Sequence, residues 1–188
     1  MKFTPYFILL FITLTVTCFS YIVEYFYPCI NNLKNANTIG FFIFRYIHLL
    51  SYIYFVSFLF LFNYKNEDAI VYLLFTITLL STWKIFDCCL LSYYELKMYN
   101  VDHRDYLTNF HPCLYVLFRD YQDFILSIMA VIMTFTFYFI LIKNKRISIF
   151  YKILFFCIYS YIFMDNIIQT RVYNKNLDYP KDNFFTYY

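Results

Sequence analysis

From Phe3 to Val23 the chain carries no charged residue, and a second uncharged run extends from Phe124 to Ile142. Roughly 20 consecutive apolar residues take a helix across about 30 Å of hydrocarbon. A water-soluble domain of this length has no place for two such runs, because a large share of any small domain's surface stays exposed. The composition agrees: 62% of the 188 residues are hydrophobic and 14% are charged, against about 45–50% and about 25% in soluble domains. The expected fold is all-α, a polytopic transmembrane helical bundle forming a single membrane domain. Five spans are expected near residues 4–26, 40–63, 69–92, 123–143 and 147–169. The first run is read as a retained anchor, since it is long for a signal-peptide core and lacks an A-x-A-like cleavage site.

The abundance of Phe and Tyr, with a single Gly, reads as AT-rich coding and not as a binding device. A formal charge of +3 with no basic stripe excludes nucleic acid as a partner. The implied partners are the lipid bilayer and other membrane proteins or a second copy of the chain. Arg45, near the start of the second span, is expected to snorkel toward the preceding loop. With the lone Gly40 at a helix end, close helix contacts fall to small residues four apart: Thr13 and Thr17, Thr78 and Thr82, Ala130 and Thr134. The hydroxyls of such pairs either bond across an interface or satisfy their own helix.

The signals for orientation conflict. The dense basic turn Lys143-Asn144-Lys145-Arg146 would put the N-terminus on the cytoplasmic side. The opposite set of loops carries more basic residues in total, among them Arg104 and Arg119. The main extramembrane loop is expected over 99–122, the likeliest surface for a protein partner, because it concentrates His103, His111, Cys113 and mixed charge between two spans.

The most informative stretch closes the third span. Trp83, Lys84, Asp87, Cys88, Cys89 and Glu95 lie there, on a helix expected to run along the membrane surface toward Met98. At i, i+3 spacing Lys84 reaches Asp87, and Trp83, Tyr93 and Tyr94 suit an interfacial anchor. Charges at membrane depth also carry a functional reading by default. The series Trp83, Cys88/Cys89, Leu91-Ser92 and Glu95, followed by a polar loop and another span, resembles a pattern in small multi-pass membrane proteins of giant DNA viruses. That group usually has an Asn and a single Cys where this chain has Asp87 and paired cysteines. The resemblance covers roughly residues 45–140. It implies a viral source and a host or virion membrane, and it carries no mechanism.

The six cysteines include no C-x-x-C and fit no zinc-site spacing. Cys113 can pair with Cys88 or Cys89 only if the large loop folds back onto them in an oxidising compartment. His103, His111 and Cys113, with Asp105, offer metal donors at spacings that match no known site. Neither metal nor cofactor is therefore implied. His103-Arg104-Asp105 echoes a kinase catalytic loop, but Phe110 stands where its Asn belongs. Glu24, His48, Asp165 and Asn166 are the ionisable or polar groups nearest to a span interior, and His48 is the deepest. The first reading is a non-enzymatic membrane protein acting through helix and loop contacts. Its rivals are a small membrane-embedded thiol-dependent enzyme and a transporter or channel subunit.

Overall fold

The structure, a computed structural model, describes residues 4–26, 38–65, 67–86, 89–98 and 111–176, with the side chains of 38 and 166–176 excepted. It is all-helical. In chain order, the described residues form α1 (Thr4–Phe26), α2 (Thr38–Leu61), α3 (Glu67–Phe86), α4 (Leu90–Met98), α5 (Pro112–Phe118), a 3-10 turn (Arg119–Tyr121), α6 (Gln122–Lys143) and α7 (Ile149–Asn176).

Among the described residues, four stretches are long and apolar enough to cross a membrane: Thr4–Phe26, Ile39–Leu61, Glu67–Phe86 and Pro112–Lys143. The fifth expected span falls on α7, a helix of 28 residues whose side chains are described as far as Asp165. Large apolar side chains face outward along these helices, among them Phe7, Phe11 and Phe19 on α1 and Phe150 and Phe156 on α7. Such a surface suits hydrocarbon and not water.

Helix α2 is the hub, packed against α1, α4, α5 and α6, while α7 docks on α3 and α6. The reason lies in the faces. On α1 the buried residues are Leu9, Thr13, Thr17, Ser20 and Glu24, a stripe at three- and four-residue spacing made mostly of small side chains. Small residues let two backbones approach closely where no glycine is present. The hydroxyls of Thr13 and Thr17 donate to Leu9 and Thr13 carbonyls in their own helix, at 2.8 Å each. The α1 pair thus works by its size. By contrast the Thr134 hydroxyl bonds across to Tyr159 on α7 at 2.7 Å.

The centre of the bundle is aromatic. Phe55, Phe58, Tyr72, Phe137 and Tyr159 are all buried in one cluster. Phe137 and Tyr159 stack with centroids 4.1 Å apart, and Phe58 meets Tyr72 at 4.5 Å. Offset rings fill irregular space densely and add about 0.5–1.5 kcal/mol per pair beyond their burial. At one end of the bundle Tyr6 donates to Asp68, tying α1 to α3. There too the Asn144 amide donates to the Tyr64 carbonyl at 2.9 Å, which closes the α6–α7 turn against the α2–α3 connection.

Two sequence expectations change. The third helix does not continue as one rod to Met98: α3 ends at Phe86, Cys89 is non-helical, and α4 starts afresh at Leu90. This break lets α4 fold back onto α2 and bury Ser92, Glu95 and Leu96, so the polar face turns inward and not along the membrane surface. Within the expected loop 99–122, residues 99–110 lie outside the described residues. The remainder is structured: Pro112 opens α5, where its missing N–H costs nothing, and Cys113, Leu114 and Val116 are buried.

Candidate functional site

At the end of the bundle where α1 finishes and α2 begins, polar side chains from separate segments meet out of contact with solvent. Arg45 is the pivot. It sits about two turns into α2, is 0% exposed, and lies between Glu24 of α1 and Glu95 of α4. Its Nη1 donates to Glu24, and its Nε donates to Glu95 Oε1 at 2.9 Å. The guanidinium also lies over the Phe41 ring, 4.3 Å from its centroid, an arrangement that suits its flat, weakly hydrated face. Arg45 therefore does not snorkel. Two carboxylates inside the bundle supply the partners that water would otherwise provide.

One turn along α2, His48 faces the other oxygen of Glu95: its Nδ1 is 3.0 Å from Oε2. That bond places a proton on Nδ1 and leaves Nε2 facing the Tyr52 hydroxyl at 3.1 Å and the Cys89 sulfur at 3.6 Å. Burial alone raises the Glu95 carboxyl. The Arg45 guanidinium and the His48 imidazole outweigh it and hold the carboxyl below its ordinary range.

The chain of contacts continues to α5. The Tyr52 hydroxyl lies 2.5 Å from His111 Nδ1, and the Ser92 hydroxyl lies 2.9 Å from the same atom. The His111 backbone N–H donates to the Gln122 side-chain carbonyl at 3.2 Å, which fixes the entry into α5. Trp83 packs its ring edge-on to His111, with centroids 5.6 Å apart. His111 Nε2 is buried and has no hydrogen-bond partner among the described residues. Buried polar atoms are nearly always satisfied, so an orphan of this kind calls for an explanation.

The cluster offers donors in two overlapping groups. His48, Cys89 and His111 present one ligand atom each within 4.8 Å of one another, and so do His48, Glu95 and Cys113. All five residues are buried. Cys89 and Cys113 are both free thiols, so the disulfide that sequence spacing left open between them does not form here.

Of the residues singled out in the sequence, Trp83, Cys89, Glu95, His111 and Cys113 meet at this centre. Lys84 does not. It pairs with Asp165 of α7 at 2.9 Å and donates to the Tyr161 hydroxyl at 3.1 Å, so its described partners are on another helix, while the expected pairing with Asp87 falls outside the described residues. Asp87, Cys88 and His103 lie outside the described residues. Sequence reading missed Tyr52, Ser92 and Gln122 as site residues and gave Arg45 the wrong role. A signal existed in the paired spacings Arg45-x-x-His48 and Ser92-x-x-Glu95, each of which puts two polar groups on one helix face. No known protein family, curated protein or solved structure matches the chain.

Proposed function

We propose that the chain is a multi-pass integral membrane protein that works through its buried thiol–imidazole centre, Cys89 with His48, and not chiefly through an extramembrane loop surface. One observation carries this reading: Cys89 Sγ, His48 Nε2, His48 Nδ1 and Glu95 Oε2 stand in series, at 3.6 Å and 3.0 Å. A thiol is activated when a base stands beside it and a third group orients that base. Here Glu95 orients His48, and Arg45 anchors Glu95. Buried charge inside a membrane bundle is expensive and is kept where it serves a purpose. The outward apolar faces of the long helices support the bilayer as the principal partner.

Among the rival readings, this geometry favours the thiol-dependent class over contacts made by the 99–122 loop. The viral reading stands on the same residues: Trp83, Cys89, Ser92 and Glu95, which carry the resemblance to giant-virus membrane proteins, are neighbours at this centre. That pattern reads as a site motif.

The test is maleimide labelling of carbonate-washed membranes after chelator treatment, with each cysteine followed by mass spectrometry. The chain should stay in the pellet. His48→Asn should slow labelling at Cys89 about tenfold or more at neutral pH, because less thiolate is present. Labelling at Cys18 and Cys157, both exposed, should be unchanged. A Cys89 rate indifferent to His48, or a chain released by carbonate, would overturn the proposal.

A further inference from the structure

The ligand class of this centre follows from its donors, on the reading that the thiol–imidazole pair is the functional group. We propose that the centre binds a single divalent transition-metal ion of the zinc class through His48, Cys89 and His111.

Three observations converge. The first is the donor set: two imidazoles and a thiol are borderline-to-soft ligands, which select zinc-like ions and disfavour magnesium or calcium. The second is the spacing. A tetrahedral zinc with metal–nitrogen bonds of about 2.0–2.1 Å and metal–sulfur bonds of about 2.3 Å has a nitrogen–sulfur edge of about 3.6 Å. His48 Nε2 and Cys89 Sγ are separated by 3.6 Å. The ligand atom of His111 lies within 4.8 Å of those of His48 and Cys89.

The third is the support around the donors. Metal-binding histidines hold their other ring nitrogen in a hydrogen bond, often to a carboxylate, which fixes the ring. His48 does this with Glu95 at 3.0 Å, and Glu95 is itself held by Arg45. At His111 one ring nitrogen is fixed by Ser92 and Tyr52, while the other is buried without a partner among the described residues. The Tyr52 hydroxyl bridges the two imidazoles, so an incoming ion competes with it for His48 Nε2.

The test uses the full chain in detergent, stripped with a chelator and titrated with Co2+ as the probe. One equivalent should bind, giving the strong visible bands of a tetrahedral ion and a thiolate-to-cobalt charge-transfer band in the near ultraviolet. Cys89→Ser should abolish that charge-transfer band, since the thiolate that gives rise to it is lost. Glu95→Gln, which does not touch the ion, should weaken Zn2+ competition about 10- to 100-fold, the effect expected for loss of a supporting hydrogen bond. Cys18→Ser should bind as the unaltered chain does. Should Cys89→Ser fail to fold, protection of Cys89 from maleimide by one equivalent of Zn2+, with the extent of labelling at Cys18 and Cys157 unaltered, serves instead. A folded chain that gives no tetrahedral Co2+ spectrum, or whose spectrum survives Cys89→Ser unchanged, overturns the proposal. No metal binding together with labelling that depends on His48 removes the ion and leaves the thiol–imidazole reading. Labelling indifferent to His48 removes that reading itself.

Discussion

Replacing Arg45 by Met should lower the stability of the bundle by about 3–5 kcal/mol, the cost of breaking a buried ion pair by deleting one partner. Glu24 and Glu95 would then face each other inside the bundle with no cation between them, since Arg45 bonds both. The cost comes mostly from the stranded charges and less from lost attraction. The triple variant Arg45→Met, Glu24→Gln, Glu95→Gln should therefore recover much of the loss, because neutral amides can be buried with ordinary hydrogen bonds. Reversible unfolding in detergent, followed by circular dichroism, measures both. A loss under about 1 kcal/mol for Arg45→Met would mean that water reaches the centre and screens it.

Phe137→Ala should cost about 3–5 kcal/mol, the range for emptying a large buried aromatic site. Phe137 is 0% exposed and stacks on Tyr159, so it holds α6 against α7. Two residues earlier, Phe135 is 62% exposed and points away from the bundle. Phe135→Ala should leave stability within about 0.5 kcal/mol in the same assay. Equal effects at the two positions would mean that α7 does not dock on α6 as described. The contrast is informative because both residues are identical in type and neighbours in sequence.

The helices themselves were legible because their signal is local. Uncharged runs such as Phe3–Val23 and Phe124–Ile142 report on membrane depth residue by residue, and the helices found there agree closely with expectation. The site was only half legible. Cys89, Glu95, His111 and Cys113 stood out by residue type, but their meeting depends on the break after Phe86 that turns α4 back onto α2. No turn residue marks that break: the sequence there is Phe86-Asp87-Cys88-Cys89, without Gly or Pro.

Arg45 shows the same limit from the other side. Seen alone near the start of an apolar run, it reads as a snorkelling cation. Its partners are 21 and 50 residues away, and nothing in the spacing along one helix announces a partner on another. Lys84 too has a distant partner. The i, i+3 pattern offered Asp87, while the described contact is to Asp165, 81 positions along the chain from Lys84. Local spacing nominates partners, and packing chooses among them.

The most direct test of the account is whether His48 and Glu95, separated by 47 residues in sequence, act as one unit. A double-mutant cycle on unfolding free energy, using His48→Asn, Glu95→Gln and the double variant, measures their coupling. Contact at 3.0 Å in a buried site predicts an interaction energy of about 0.5–3 kcal/mol, with the double variant losing less than the sum of the two single losses. Losses that add to within about 0.3 kcal/mol would place the two residues apart, and the centre described here would not exist.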